Sequence, residues 1–278
     1  MKKHYILFLF LFVSCLAFAQ KNEKIKGSKI VTTKQKEIGS FEAIEVTHNI
    51  EVFLEKGEKS ELKIEADDNL HEIIIINLSL NTLRIYTAKK VANFKKLIVR
   101  VTYTDDLKMA TAKNEAVINA IQEIQLNEIM FKSYDNSKLN LNVNSKNFSL
   151  QSDNNSKTEL NLKSEKATIQ LSKNATLKAL ITSTDIKCDL YQKSKANIEG
   201  DVTNAIIRLD NNAEFIGNNL AISNAELVVE SHSKASVNIN STISIDASGN
   251  SKIQLFGNQK IEIKQFIDHA TLEKKPIE

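Results

Sequence analysis

The chain of 278 residues contains few of the residues that interrupt a β-sheet or cross-link it. It has one proline, seven glycines, two cysteines and no tryptophan. Proline lacks the N–H group that a strand donates to its neighbour, so a single proline at position 276 leaves almost the whole chain free to pair as strands. Cys15 lies in an N-terminal apolar run, and its removal with that run would leave Cys188 alone and exclude an intrachain disulfide.

Residues 1–19 have the composition of a secretory signal peptide. Two lysines precede an apolar run over residues 5–18, and the small residues of Ala17–Ala19 predict cleavage before Gln20. This run is shorter than the roughly 20 residues of a spanning helix, so we expect no transmembrane span. A lipoprotein signal with an acylated Cys15 is the alternative. The sequence thus predicts an exported protein in the periplasm, on the outer-membrane surface or outside the cell.

The overall charge gives no reason to expect a polyanionic partner for the whole protein. Removal of the signal peptide takes away Lys2 and Lys3, so the 37 basic residues fall to 35 against 34 acidic residues. A mature net charge of +1 is too small to indicate nucleic acid or an anionic membrane as a partner.

The first part of the mature chain alternates apolar and polar residues, as half-buried strands do. Polar stretches at residues 56–59 and 66–69 separate the alternating segments and predict turns. The alternating residues are Ile50-Val52-Leu54, Leu62-Ile64, Leu83-Ile85 and Val99-Val101-Tyr103.

In the second half of the chain a small residue returns about every 19 positions. A fixed period of this length indicates stacked supersecondary units, each of which buries its apolar face against its neighbours. We call these residues the marker residues: Ser137, Ser156, Ala175, Ser194, Ala213, Ser233, Ser251 and Ala270.

Mostly apolar residues stand at matching distances after the marker residues, with a shift of one position in the later repeats. In the first unit they are Leu139 and Leu141, then Phe148 and Leu150. This pattern predicts two short strands per unit, with alternate residues pointing inward. The expected fold is all-β, a single-stranded parallel β-helix (solenoid) with about 19 residues per turn, preceded by an irregular β-rich N-terminal part. An antiparallel meander or sandwich is the alternative, disfavoured because the hairpin turns Asn-Gly and Asp-Gly are absent from the sequence.

These observations predict a signal peptide at 1–19, an N-terminal β-rich region at 20–110 and the β-helix repeats at 111–275. One continuous domain over 37–275 is the alternative.

The position before the marker residue is most often asparagine. Asparagine tolerates the left-handed backbone conformation of a corner, and its amide can stack on the equivalent amide of the next turn. We expect a structural corner ladder formed by Asn136, Asn155, Asn174, Asn212 and Asn250.

Several segments resemble a known family. They are Phe41–Val46, Val52–Gly57, Leu83–Ile85, Ala247–Lys252 and Asp268–Ala270. Together they are similar to the putative auto-transporter adhesin, head GIN domain family over nearly the whole mature chain. The resemblance implies an exported β-helical protein without recognised catalytic residues.

The acidic residues do not form the paired carboxylates of a glycoside hydrolase. Asp135, Asp153, Asp210 and Asp268 fall in different columns of the repeat and are separated by one or more turns. We therefore predict that the protein is not an enzyme. A carbohydrate-active β-helix enzyme acting on acidic polysaccharide is the alternative.

The sequence also predicts no metal or cofactor site. Cys188 falls in an inward column and is expected to be a core residue. His232 and His269 stand two turns apart, roughly 10 Å on strand spacing, which is too far to share one zinc ion. Asp67 and Asp68 predict a solvated turn, with calcium binding as the alternative.

The position after the marker residue is often basic. In a regular coil these side chains form a broken cationic row that can contact acidic glycans or lipopolysaccharide, and solvated corners that prevent aggregation are the alternative. The row comprises Lys138, Lys157, Lys195, Lys234 and Lys252. We predict an adhesin-like binding or structural protein, contacting glycans or other envelope components, and self-association is left open.

Overall fold

The structure is a computed structural model that describes residues 24–276. The predicted signal peptide, with Cys15 and the cleavage before Gln20, lies outside the described residues. Within the described part the chain is nearly all β, with 70% strand and 2% helix. None of the helices found there is long and apolar enough to cross a membrane.

The N-terminal strands are short. They are β1 (Ile25–Lys26), β2 (Val31–Glu37), β3 (Ala43–Thr47), β4 (Glu51–Lys56), β5 (Glu61–Asp67), β6 (Ile74–Ser79), β7 (Thr82–Thr87), β8 (Val91–Ala92), β9 (Leu97–Tyr103) and β10 (Met109–Lys113). A 3₁₀ helix, η1 (Asp68–Ile73), follows β5. The alternating segments of the sequence correspond to β4, β5, β7 and β9, which confirms their prediction as strands.

Longer strands follow, and each fills most of one turn. They are β11 (Val117–Ser133), β12 (Lys138–Ser152), β13 (Lys157–Leu171), β14 (Thr176–Tyr191), β15 (Lys195–Asp210), β16 (Glu214–Val229) and β17 (Lys234–Ala247). The last strands are β18 (Lys252–Phe256), β19 (Lys260–Phe266) and β20 (Thr271–Lys274).

Equivalent residues of successive turns pair in parallel. Leu139 pairs with Thr158, Thr158 with Leu177, and Leu177 with Ala196. The chain forms a parallel β-solenoid of about nine turns with about 19 residues per turn. The predicted fold class is confirmed, and the antiparallel meander is not formed by these repeats.

Each long strand bends once and has two halves. In β12 and β13, Ser145 pairs with Ser164 and Asn147 with Lys166, so the pairing skips the residue between them. The alternation of buried and exposed residues is broken at the same place, because Lys146 and Asn147 are both exposed. The prediction of two separate short strands per turn is wrong in this respect. The first halves of these long strands together form one outer surface of the solenoid, which we call the first face. The second halves form another, which we call the second face.

The core is formed by the columns that the repeat predicts. Leu139, Phe148 and Leu150 are buried, and their equivalents are buried in each turn up to β17. Cys188 pairs with Ile169 and Ile207 within this core, and burial raises the pKa of its thiol, an effect that Asp189 increases. This confirms that Cys188 is a core residue and not an exposed nucleophile.

The marker residues line the inside of the corner. Seven of the eight are almost completely buried, and Ala270 in the last turn is partly buried. The Ser137 hydroxyl donates to the carbonyl of Ala112 at 3.0 Å, whereas the buried Ser156 hydroxyl has no hydrogen-bond partner among the described residues. A small side chain is therefore common to the column, and a hydroxyl is not required.

The spacing of the marker residues is 20 positions from Ala213 to Ser233 and 18 from Ser233 to Ser251. Both departures from the 19-residue period coincide with irregular pairing. The register of β15 and β16 shifts between Asn197 and Gly200, and the register of β16 and β17 shifts after Gly217. Gly200 has a φ of +116°, and a Cβ atom there would lie 2.1 Å from the carbonyl oxygen of Ile181. Only glycine fits this backbone position.

The N-terminal region mixes two kinds of pairing. β3 pairs in parallel with β7 and β10, and β4 with β9 and β11, so parallel stacking continues upstream of the long strands. β5 is antiparallel to β2 and β9, and β6 is antiparallel to β7. This agrees with an irregular β-rich N-terminal part, while the domain boundaries at 20–110 and 111–275 stay a prediction.

Asp67 is not part of a solvated turn, which corrects that prediction. It is the last residue of β5 and is fully buried. Its carboxylate accepts hydrogen bonds from the backbone N–H groups of Lys29 at 2.8 Å, Lys96 at 2.9 Å and Lys95 at 3.1 Å. Burial by itself would raise the pKa of Asp67, but these N–H groups outweigh it and lower the pKa. Asp67 thus ties two N-terminal loops to β5.

Candidate binding face

The lysine row is formed on the first face by the register of the strands. Lys138 pairs with Lys157, and Lys234 with Lys252. Lys195 occupies the same column, between Thr176 and Glu214. The column runs from Lys138 to Lys252 over six strand steps, or about 29 Å at about 4.8 Å per step.

All five lysines are exposed. Lys195 forms an ion pair with Glu214, with the Nζ and Oε2 atoms 3.0 Å apart. Among the ion pairs of the described residues, none includes Lys138, Lys157, Lys234 or Lys252. Four ammonium groups along one edge of the first face are therefore available to an external anion.

A groove of about 640 Å³ lies on the first face beside the N-terminal end of the row. Ile121 and Leu180 are exposed on its surface. Asn161 donates to Asn142 at 3.1 Å, and both amides line the groove. Glu159, Lys178 and Glu199 also line it, so the groove combines aliphatic surface and amide groups with charges of both signs.

The asparagine column lies at the corner of each turn. Asn136, Asn155, Asn174 and Asn212 have φ between 62° and 66°, and all four side chains are exposed. Asn250 does not have a positive φ, whereas Gly249 directly before it has a φ of 69°. The left-handed corner accounts for asparagine at the first four positions, because asparagine adopts this conformation at lower cost than most residues.

The contacts between these corners are made mainly by the backbone. The N–H of Asn155 donates to the carbonyl of Lys173 at 3.0 Å, and the N–H of Asn174 to that of Gln192 at 3.1 Å. In the last turns the Asn250 amide contacts the Nε2 atom of His232 at 3.1 Å. Asn250 thus lies between His232 and His269 in this column.

Side-chain ladders occur at positions that the sequence analysis missed. On the first face Asn119 donates to Glu51 at 2.8 Å, and Asn140 donates to Asn119 at 2.7 Å. On the second face a ladder joins Asp185, Asn204, Asn224 and Thr242. The 19-residue spacing of Asp185 and Asn204 could have revealed this second ladder. The 21-residue spacing of Asn119 and Asn140 hides the first, because a register shift between Ala120 and Ile124 interrupts the period.

A second groove follows the bend between the two faces and has a volume of about 1030 Å³. Lys146, Lys163 and Asn144 line it together with Glu128 and Glu165. Since it carries charges of both signs, its electrostatics favour no single class of charged ligand.

The four aspartates considered as catalytic groups each form a hydrogen bond or an ion pair at a corner of the solenoid. Asp135 accepts a hydrogen bond from Asn154, and Asp268 accepts one from the N–H of Gly249 at 2.9 Å. Asp153 forms an ion pair with Lys173 at 3.2 Å, and Asp210 accepts from Ser231 at 2.6 Å. Within residues 24–276 no group of three or more His, Cys, Asp or Glu side chains is arranged to hold a metal ion.

These features define a class of protein, a parallel β-solenoid with long repetitive surfaces. The chain matches the family model described as "Putative auto-transporter adhesin, head GIN domain" over residues 40–179 and 157–258, and it belongs to that family. This confirms the resemblance found in the sequence. A search of curated proteins gave no match.

Solved structures share the fold. A putative adhesin from Parabacteroides merdae is 19% identical with a TM-score of 0.70, and 91% of this chain and 99% of that one are covered. A putative adhesin from Parabacteroides distasonis is 18% identical with a TM-score of 0.69, covering 91% and 100%. A putative lipid binding protein from Parabacteroides distasonis is 14% identical with a TM-score of 0.65, covering 91% and 100%. At these identities the likeness shows the fold alone.

Proposed function

We propose that this protein is an exported, non-catalytic, adhesin-like binding protein whose first face contacts an acidic glycan or another acidic polymer of the cell envelope. The observation that carries the proposal is the alignment of Lys138, Lys157, Lys195, Lys234 and Lys252 in one column of the solenoid.

A polymer suits this column better than a small anion. Each exposed lysine contributes little to binding by itself, because water and salt screen a surface ion pair. A polymer with repeated anionic groups can contact several lysines at once, and each contact after the first is intramolecular. Affinity then comes from the number of contacts.

The groove beside the row supplies contacts of another kind. Sugar rings have apolar faces and hydroxyl edges, which suit the aliphatic side chains of Ile121 and Leu180 and the amides of Asn142 and Asn161. Because the groove can contact sugar rings, it favours a glycan as the ligand over an acidic polymer that has no rings.

Export is supported by the signal-like composition of residues 1–19 and by membership of a family described as adhesins. The absence of catalysis is supported by the family description and by the corner hydrogen bonds of the four aspartates. Self-association of the chain is also part of the proposal, since the last turn of the solenoid leaves apolar side chains exposed.

Replacement of all five row lysines by glutamine tests the function. Binding of the purified protein to polygalacturonate is expected to weaken at least about tenfold, because the contacts of the four available ammonium groups, roughly 0.5 kcal/mol each, are lost. The matched control replaces five exposed lysines of the N-terminal region by glutamine and changes the net charge equally: Lys34, Lys36, Lys59, Lys63 and Lys89. Equal binding by the two variants, measured by affinity electrophoresis, contradicts the proposed face.

A further inference from the structure

The second face carries a groove of about 620 Å³ towards the C-terminal end of the solenoid, which we call the C-terminal groove. Residues of β15, β16, β17 and β19 line it. The buried side chains of Ala205, Ala225 and Ile243 form its floor, and Ile206 beside them is 48% exposed. The groove therefore offers a small aliphatic surface to a ligand.

The side-chain ladder of the second face runs along this groove. Asn204 donates to Asp185 at 3.0 Å. Asn224 donates to Asn204 at 3.3 Å, and the Thr242 hydroxyl donates to Asn224 at 2.8 Å. A side-chain amide has two N–H donors and an oxygen that accepts two hydrogen bonds, so the ladder uses only part of the capacity of its asparagines. Further donors and acceptors are thus presented to a ligand at intervals of about 4.8 Å along the groove.

The charged side chains of the C-terminal groove balance one another. They are two glutamates and two lysines, Glu226, Glu262, Lys260 and Lys264. A strongly charged ligand would meet as many groups of like sign as of opposite sign, so its charge gains little attraction here. Carboxylates accept hydrogen bonds and ammonium groups donate them, so these side chains suit the hydroxyl groups of a neutral ligand. The groove differs in this from the lysine row, in which every member is cationic.

A saccharide fits this groove better than a peptide. β15, β16 and β17 each pair with a neighbouring strand on both sides, so an extended peptide cannot join them as a further strand. A sugar ring needs no strand edge, because it offers hydroxyl groups to the ladder of Asn204 and Asn224 and an apolar face to Ile206.

We propose that the C-terminal groove is a binding site for a neutral oligosaccharide. The site is separate from the lysine row, because the row lies on the first face and its proposed ligand is acidic. The two ligands therefore do not compete, and one chain holds both at once. This consequence rests on the proposed function, whereas the neutral site does not depend on it.

Affinity electrophoresis in native gels that contain a neutral polysaccharide tests the site, with laminarin, galactomannan, xyloglucan and dextran as probes. The double variant Ile206→Ser with Asn224→Ala removes the aliphatic contact and the central amide of the ladder. It is expected to weaken binding at least about fivefold, because both apolar and hydrogen-bonded contacts are lost.

The matched control is the double variant Met130→Ser with Asn147→Ala. Met130 lies in the column of Ile206 and Asn147 in the column of Asn224, each four strand steps away and outside the groove. Circular dichroism verifies that both double variants are folded. Retardation by at least one probe that falls in the groove variant and persists in the control supports the site. Retardation by none of the four probes, or equal retardation of the groove variant and the unchanged protein, overturns it, as does an equal loss in the two variants.

Polygalacturonate gels separate this site from the lysine row. The five-lysine variant is expected to lose retardation in polygalacturonate and to keep it in the neutral polysaccharide. Added salt is expected to weaken only the polygalacturonate binding, because salt screens exposed charges. A protein that binds a neutral polysaccharide but not polygalacturonate contradicts the proposed function and leaves the C-terminal groove as a site, and the reverse result overturns the groove alone.

Discussion

Replacement of Asp67 by alanine is expected to lower the free energy of unfolding by about 3 kcal/mol. The Asp67 carboxylate is the acceptor for the backbone N–H groups of Lys29, Lys95 and Lys96. Alanine removes the acceptor and leaves three donors without it, and a buried polar group without a partner costs about 1–3 kcal/mol. Urea unfolding followed by circular dichroism measures the change.

Asp68→Ala is the matched control for this variant. Asp68 is the next residue and is exposed, and its carboxylate accepts hydrogen bonds from the Ser28 hydroxyl and the N–H of Asn69. Because water can replace these exposed bonds, the same change there removes a carboxylate of the same charge with a smaller loss of stability. An equal loss in the two variants contradicts the role assigned to Asp67.

The lowered pKa of Asp67 also predicts the direction in which the stability of the folded protein changes with pH. Because the folded protein lowers this pKa below its ordinary value of 3.8, the contribution of Asp67 is fully present above that pH and is lost as pH falls through the folded-state pKa. The stability difference between the unchanged protein and Asp67→Asn is therefore expected to shrink in acid.

Ala175→Leu is expected to destabilise the solenoid by about 1–3 kcal/mol, the cost of overpacking a filled core. Ala175 is fully buried at the corner. Its turn is bonded to both neighbours there, since the N–H of Thr176 donates to the carbonyl of Ser156 at 2.9 Å and the N–H of Lys195 donates to the carbonyl of Ala175 at 3.0 Å. These bonds hold the turns together, so they cannot move apart to accept a larger side chain. Thermal unfolding measures the effect, and Ser156→Leu is expected to behave in the same way.

Ser156→Ala provides the control within the same column. It keeps the side chain small and removes a buried hydroxyl that has no hydrogen-bond partner among the described residues. Stability is expected to be unchanged or slightly higher. Melting temperatures that are unchanged in both leucine variants contradict the inward placement of the marker residues.

The repeat was predictable because one physical constraint acts on every turn. In every turn a small marker residue must fit inside the corner and apolar residues must face the core. Because both recur at the same spacing, the position of each residue within its turn can be read from the sequence. The same spacing placed Cys188 in the core and aligned Lys138 with Lys157. The lysine row followed from the register of the coil without any knowledge of its ligand.

Features that occur once could not be found in this way. Asp67 has no equivalent in other turns, and a short polar stretch gives no sign that loops around Lys29 and Lys95 enclose it. The continuity of each strand around its bend was also hidden, because an interruption of the alternation at Lys146 has the same appearance in sequence as a gap between two strands.

The central claim is that the solenoid presents its lysines as one linear binding site, and oligogalacturonates of increasing length test it most directly. Calorimetric titration is expected to show affinity that rises with oligomer length until the ligand spans the row, about 29 Å at about 4.8 Å per turn, and then levels off. The five-lysine variant is expected to lose this dependence. An affinity that is independent of length, or a length dependence that persists without the five lysines, contradicts the account.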